Sequence, residues 1–468
     1  MLALHPASGK GPSELGDARE ALRRGDGIAA EVTLRNALRH GTAASEVAAL
    51  MGEAELLQED LGAARRWLAP EDFAQSERAH GYRMLGRLEM ASGNLPAAGA
   101  AFDHALAMTP GDPQLWVDIG RLRYRGGEHL QAIDAADRAL ALRGDDPAAL
   151  IFRGQLVRDG RGPIAALPLF AKAVLQAPED LGALYEYAAT LGEAGRAQAM
   201  LTVTRRMIEL DAGDPRAFYL QAVLATRAGK HDLARRLLWQ TGETYRKIPA
   251  ALMLQGVLEL RSGNAASALE AFETLWRMQP DNARAAELVA RALAEQRNHA
   301  ELASRFGPLA LRADASPYLR RLVDQAYEGS ASHHPAEAVL PQGAPLEVLD
   351  ARWRHAPGEP GRFIPLVREL VARRDHAAAR RVTGQLVQRF PGSGDVHFLA
   401  GDVERMGGQP ARALAHYRIA ARVRMSRGLL TRMMAAERDM GRPDRAKAMV
   451  REYSAQHPMD SSVAHIQF

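Results

Sequence analysis

Cysteine is absent from the 468 residues. Disulfides, thiolate metal sites and cysteine nucleophiles are thereby excluded, while the compartment stays open, because a cysteine-free chain is at ease in reducing or oxidising surroundings. Aromatic residues are only 6% of the chain. β-Branched residues are sparse beside Ala, Leu and Arg, the types that lose little on entering a helix. No run approaches the roughly 18 apolar residues of a membrane span. The opening residues, MLALHPASGK, have neither the basic flank nor the apolar stretch of a secretory signal. The expectation is a soluble, cytoplasmic chain without a transmembrane segment, or a periplasmic one if a leader has been removed.

What is present suits a large helical core: 47% of residues are apolar and 25% charged. The length allows two or three ordinary domains or one long array, so internal repetition is the first thing to seek. Pro110 and Pro178, each closing an Ala-rich helix end, lie two periods of 34 residues apart, and Pro280 lies three further on. Units laid from residues 79, 113, 147, 181, 215 and 249 place Gly86, Gly120, Gly154, Ala188, Ala222 and Gly256 in the eighth slot. The fifteenth slot holds Gly93, Gly127, Arg161, Gly195, Gly229 and Gly263, and the twentieth Ala98, Ala132, Ala166, Met200, Ala234 and Ala268. The frame extends back through units at 11 and 45, with Ala18, Gly52, Gly25, Ala30 and Ala64 in matching slots.

Each slot has a physical reason. Glycine inside a helix costs about 1 kcal/mol against alanine, so its recurrence in slot eight points to a close helix crossing, where a larger side chain would overpack by roughly 1–3 kcal/mol. The glycine of slot fifteen falls between two helices, where a turn needs positive φ. The closing Pro-Gly-Asp, Pro-Glu-Asp and Pro-Asp-Asn stop one hairpin, and their acidic or amide residues can cap the next.

Leu85, Gly86, Ala98, Phe102, Ala105 and Pro110 in one unit, and Trp116, Gly120, Ala132 and Ala139 in another, closely resemble the tetratricopeptide repeat. That resemblance implies an all-α fold, a right-handed α–α superhelix of helical hairpins, and a role in binding polypeptides without catalysis. The domain reading is an N-terminal tail (1–10), a first array (11–328, with in-frame units over 11–282 and degenerate helices after), a loop or linker (329–345), and a second array with capping helices (346–468). After residue 282 the turn glycine gives way to Arg297; the frame resumes at 360 and 394, with a degenerate unit from 428.

Catalytic motifs fail one by one. Gly9-Lys10 is no phosphate loop, since the first glycine and the following hydroxyl residue are missing. Gly392-Ser393-Gly394 lacks the nucleophile-elbow spacing and follows a helix. His333 and His334, near Glu337, read as a polar loop; the alternative, a weak metal site, needs further ligands. No enzyme activity, cofactor or metal is expected.

In proteins that the chain resembles, the first helix of each unit lines a concave groove. The corresponding slots here hold Ile151, Phe152, Tyr185, Tyr219, Leu220, Val223, Met253, Leu254 and Val257, an apolar strip suited to an extended or helical peptide; packing against neighbouring helices is the competing reading. Nearer the start the lining is basic, with Arg83, Arg87, Arg121, Arg125 and Arg158. Arginine's planar fork grips carboxylates, so an acidic ligand fits there, against an ordinary solvated face. Residues 346–456 carry 21 Lys and Arg against 12 Asp and Glu, with the run Arg418, Arg422, Arg424, Arg427 and Arg432; slight aromatic interleaving and no nucleic-acid motif argue against nucleic acid. The expected function is a scaffold or adaptor holding a protein or peptide partner. The alternative is a structural or regulatory part of a bacterial envelope assembly, because GDAREALRRGDGIAAEVTLRNALRHG is similar to the first repeats of tetratricopeptide proteins that accompany exopolysaccharide export and PEP-CTERM sorting.

Overall fold

The computed structural model describes residues 11–280, 282–311, 316–329, 346–355 and 360–460. Among them every regular element is a helix. α1 (Gly11–Arg23) pairs with α2 (Gly27–Arg39), α3 (Ala44–Leu57) with α4 (Leu61–Leu68), α5 (Arg78–Ala91) with α6 (Leu95–Met108), and α7 (Pro113–Arg125) with α8 (His129–Leu142). α9 (Pro147–Arg161) and α10 (Pro163–Gln176) follow. Next come α11 (Leu181–Glu193) with α12 (Ala197–Leu210), α13 (Pro215–Arg227) with α14 (His231–Gln240), the short α15 (Gly242–Arg246), and α16 (Pro249–Arg261) with α17 (Ala265–Met278). α18 (Ala283–Glu295), α19 (His299–Ala310), α20 (Pro317–Gly329), α21 (Leu346–His355), α22 (Pro360–Ala372) and α23 (His376–Arg389) continue the chain. α24 (Gly394–Met406) pairs with α25 (Pro410–Val423), and α26 (Arg427–Asp439) and α27 (Pro443–Gln456) close it. No helix among the described residues is long and apolar enough to cross a membrane.

The contacts gather into two compact units: Met1–Arg161 with Thr383–Ala446, and Gly162–Val382 with Lys447–Phe468. In the first, α1 through α9 stack in chain order, each first helix touching the next (α1 on α3, α3 on α5, α5 on α7, α7 on α9). The second joins α10 through α14 and α16 through α20 in chain order, with α11 on α13, α13 on α16 and α18 on α20.

Start and stop chemistry explains why these residues make these hairpins. Asp26, Asp60 and Asn94 accept hydrogen bonds from first-turn N–H groups of α2, α4 and α6. Asp112, Asp180, Asp214 and Asn282, the residues that close each period, do the same for α7, α11, α13 and α18. Each such cap stabilises by about 1 kcal/mol. The turn between the helices of a hairpin takes positive φ whether or not glycine stands there. Gly93, Gly127 and Gly263 lie at φ of 81°, 78° and 79°, while Glu59, Arg297 and Arg374 hold the same slot at 61°, 55° and 61°. The loss of glycine at Arg297 therefore leaves the α18–α19 hairpin in place.

The eighth-slot glycines sit at crossings so close that a Cβ would run into a large side chain of the same hairpin's second helix: Gly52 against Leu68, Gly86 against Phe102, Gly256 against Phe272, Gly401 against Tyr417. All four partners occupy slot twenty-four. In α7 the plug comes from elsewhere. A Cβ on Gly120 would stand 2.5 Å from Phe152 of α9 and 3.3 Å from Ala135, because slot twenty-four there is the small Ala136.

In the first unit one contact departs from chain order. α25 packs against α8 and α9. The Leu130 N–H donates to the Gly392 carbonyl at 3.1 Å, and the Met425 N–H to the Asp159 carbonyl at 2.9 Å.

Candidate functional site

Arg83 and Arg87 lie on α5, Arg121 and Arg125 on α7 and Arg158 on α9, and most of that charge is engaged. Arg83 on α5 donates from Nε to Asp118 Oδ2 of α7 at 2.7 Å and from Nη1 to Gln114 at 2.8 Å. Burial works against the charge of Arg83, but Asp118 outweighs it and raises the guanidinium above its ordinary value. Arg125 donates to the Met90 carbonyl at the end of α5, at 2.9 Å, satisfying a helix-end acceptor. Arg158 is half-buried on α9 and engaged in contacts of its own.

Arg121 is differently placed. Its nearest carboxylate contact is Asp118 at 3.8 Å, already bound to Arg83, and its guanidinium lies 5.9 Å from the centre of the Phe152 ring. Burial pushes it below its ordinary value; Asp118 opposes that, and the charges of Arg87, Arg83 and Arg125 add to it. Arg87 is half-buried beside it, with a 3.8 Å contact to the Met84 sulfur. Glu53 borders the patch, paired with His80 at 2.9 Å. Burial would raise Glu53, but His80, Arg87 and Arg83 hold it below the usual carboxylate value. Arg87 and Arg121 are thus neighbouring cations, with Glu53 beside Arg87 and Asp118 beside Arg121.

The apolar strip divides between the units. In the first, Ile151 is half-buried, but Phe152 is 4% exposed within a cluster that includes Val117, Ala132 and Ala136. It plugs the Gly120 crossing, which corrects its reading as a groove contact: the socket that slot twenty-four leaves unfilled takes the ring. In the second unit Leu220 is also 4% exposed, packed with Ala188, Leu191 and Met200, and is likewise core. Tyr185, Tyr219, Val223, Met253, Leu254 and Val257 are half-buried there. Tyr185 and Tyr219 border one cluster, and Arg216 lies 5.9 Å from the Tyr185 ring centre. Burial and the neighbouring Tyr185 raise the Tyr219 hydroxyl above its ordinary value, with Arg227 opposing. Arg227 donates to the Gly192 carbonyl at 2.7 Å, repeating the Arg125–Met90 clip.

The C-terminal arginine run is spent largely on packing. Arg432 donates to both oxygens of Asp402, at 2.7 and 2.9 Å, and lies 4.7 Å from the Phe398 ring centre. Arg418 lies 3.8 Å from the buried Glu437, and Arg424 reaches the Tyr124 hydroxyl. His333 and His334 lie outside the described residues.

Asp118, Glu53 and His80 were missed by slot reading. The signal for Asp118 was available: it stands 35 residues after Arg83, as Asp159 does after Tyr124, and one period plus one residue joins successive first helices.

Comparison with known proteins agrees with this architecture. A family model described as tetratricopeptide repeat matches residues 83–147, 253–316 and 364–426. A search of curated proteins finds no match. Among solved structures, a tetratricopeptide repeat protein from Parabacteroides merdae is 17% identical with a TM-score of 0.39, covering 60% of this chain and 98% of that one. Pseudomonas aeruginosa PilF is 17% identical, TM-score 0.38, covering 46% and 98%. A human IFIT1 dimer with PPP-AAAA is 13% identical, TM-score 0.41, covering 86% and 94%. These likenesses are too distant to carry an argument about ligands. With the 34-residue frame and the stacked hairpins, the matched segments show that the chain carries tetratricopeptide repeats, a fold that is generally a non-catalytic scaffold for protein–protein interaction.

Proposed function

We propose that the chain holds a polypeptide partner on the first helices of its repeats, with acidic side chains of that partner meeting Arg87 and Arg121. The observation that carries this is the electrostatic state of Arg121, half-buried among three other arginines with one carboxylate that Arg83 already uses. Bringing an anionic group to such a pair relieves like-charge repulsion, and arginine's fork can bind a carboxylate with two parallel hydrogen bonds. In the second unit, Tyr185, Tyr219, Val223, Met253, Leu254 and Val257 offer apolar and amphipathic contact area for a polypeptide.

The test is fluorescence anisotropy with labelled peptide pools, one rich in Glu and Leu and one rich in Lys and Leu. The acidic pool should bind in a salt-sensitive manner, and Arg87→Ser with Arg121→Ser should weaken it by about tenfold or more, equivalent to 1.4 kcal/mol, with an unchanged helical circular-dichroism spectrum. Equal binding of both pools, or no loss in the double variant, would sink the basic face as a contact. Tyr185→Ala with Tyr219→Ala examines the apolar contacts separately: weaker binding of both pools supports them, and unchanged binding removes them.

A further inference from the structure

We infer that, within the first unit, residues 391–425 form a proton-sensitive clasp on α8 and α9, closed while His129 is neutral and released when it takes a proton. The segment meets α8 and α9 through backbone, at close range, and α7 through the Arg424 side chain. Besides the Leu130–Gly392 and Asp159–Met425 bonds, the Gly394 N–H donates to His129 Nδ1 at 3.2 Å. A Cβ on Gly160 would lie 2.5 Å from the Arg422 carbonyl oxygen. Around these bonds Tyr124 donates to Asp159 at 3.1 Å and Arg424 reaches the Tyr124 hydroxyl at 3.5 Å.

An imidazole nitrogen can accept a backbone N–H only while it is bare. Protonated His129 would point an N–H at the N–H of Gly394, and the clasp would lose a bond and gain a repulsion. Three charged or titratable groups face this ring: Asp395 at the start of α24, Arg424 after α25, and Tyr124 of α7, whose ring centre lies 5.0 Å away. Asp159 of α9 is taken up by Tyr124. Burial lowers His129 below its ordinary value; Asp395 opposes this and Arg424 adds to it. The folded state therefore prefers the neutral ring. The closed clasp has its full stability above histidine's ordinary value near about 6.5 and loses it as the pH falls through the depressed one.

A second histidine device holds the same loop from behind. His397 is 4% exposed and its Nε2 lies 3.0 Å from the Pro391 carbonyl, which can only accept, so that nitrogen carries a proton. His397 Nδ1 faces His416 Nδ1 at 2.9 Å. One proton shared between the two Nδ1 atoms satisfies both rings; a second would set two N–H groups against each other. Burial, then His397, lower His416 below its ordinary value, with Glu404 opposing. Acid therefore loosens the loop by two routes, His129 acting at the contact and His416 beneath it.

The cysteine-free chain makes the test direct. Asp134→Cys on α8 and Ala415→Cys on α25, both exposed, take spin labels in the full-length protein. Double electron–electron resonance is then read at about pH 7.5 and about pH 5, either side of histidine's ordinary range. The expected result is one short distance at the higher pH and a several-fold larger long-distance population at the lower, with the helical spectrum retained. His129→Asn keeps an acceptor that cannot be protonated, and should cut the acid-induced population. Gly160→Ala, a substitution easy for a helix, should raise the long population at both pH values by crowding Arg422. A wild-type distance indifferent to pH, an acid response equal in His129→Asn, or a closed distance in Gly160→Ala would each overturn the clasp.

Discussion

The hairpins α5–α6 and α7–α8 are successive units of one frame, yet they close their helix crossings differently. Gly86 of α5 is met by Phe102 of its own second helix, a ring only 1% exposed. Gly120 of α7 faces the small Ala135 from its own hairpin and takes Phe152 from α9 instead. The first hairpin fills its own socket; the second borrows. A glycine in slot eight thus marks a socket for a large side chain, and slot twenty-four decides whether the plug is internal or ties the unit to its neighbour. The tie also removes Phe152 from any binding surface.

The largest expected effects come from pulling the plugs. Phe102→Ala and Phe152→Ala should each cost about 3–5 kcal/mol, as buried aromatic truncations do. The sharper experiment is a double-mutant cycle. Gly120→Ala alone should destabilise by about 1–3 kcal/mol through overpacking. In the Phe152→Ala background the added methyl keeps only the 3.3 Å approach to Ala135, and the cost should shrink towards zero as helix propensity, worth up to about 1 kcal/mol, offsets it. Gly86→Ala should be rescued by Phe102→Ala and left unrescued by Phe152→Ala. Urea unfolding midpoints of the set report the coupling; identical responses of the two glycines to Phe152→Ala would abolish the distinction between internal and borrowed plugs.

The two hairpins are also joined by a polar tie, and its loss ranks next. Asp118 is 2% exposed and holds Arg83, whose side chain is 14% exposed. Asp118→Asn leaves a largely buried guanidinium with only Asp112 at 3.8 Å and should cost about 3 kcal/mol or somewhat less, the low end for a broken buried pair. Replacing both partners by Leu should cost much less, because the desolvation penalty leaves with the charges. If the single and double replacements destabilise equally in thermal melts, Arg83 gains nothing from Asp118 and returns to the cationic face.

How much of this could be read in the letters depends on the range of the interaction. The hairpins, their acidic and amide caps and the close crossings repeat at a fixed period, and each follows from local chemistry: Asp112 and Asn282 cap the next helix because they end a period, and Gly86 and Gly256 are small because a large residue stands sixteen positions later. The basic face was legible as a set of arginines and illegible as a site. Slot reading looks along one helix, whereas the partner of Arg83 lies on the next. Phe152 was misread for the same reason, since the socket that it fills lies on the preceding hairpin. The approach of residues 391–425 to α8 joins atoms 265 positions apart, across a part of the chain that belongs to the other unit, and no periodic signal encodes it.

The smallest effect isolates the turn. Both compared hairpins turn through glycine, Gly93 and Gly127, at φ near 80°. α3–α4 and α18–α19 force Glu59 and Arg297 into the same left-handed region, at φ of 61° and 55°. An L-residue with a Cβ pays roughly 1–2 kcal/mol there, part of which glycine returns through its freer unfolded chain. Glu59→Gly and Arg297→Gly should therefore stabilise by about 0.5–1 kcal/mol, whereas Gly93→Ala should destabilise by a similar or larger amount. The sign is the informative part. Glycine is ordinarily the worst non-proline residue to introduce near a helix, so a raised melting temperature at Arg297 could come only from the left-handed turn that this frame imposes on whichever residue the slot holds.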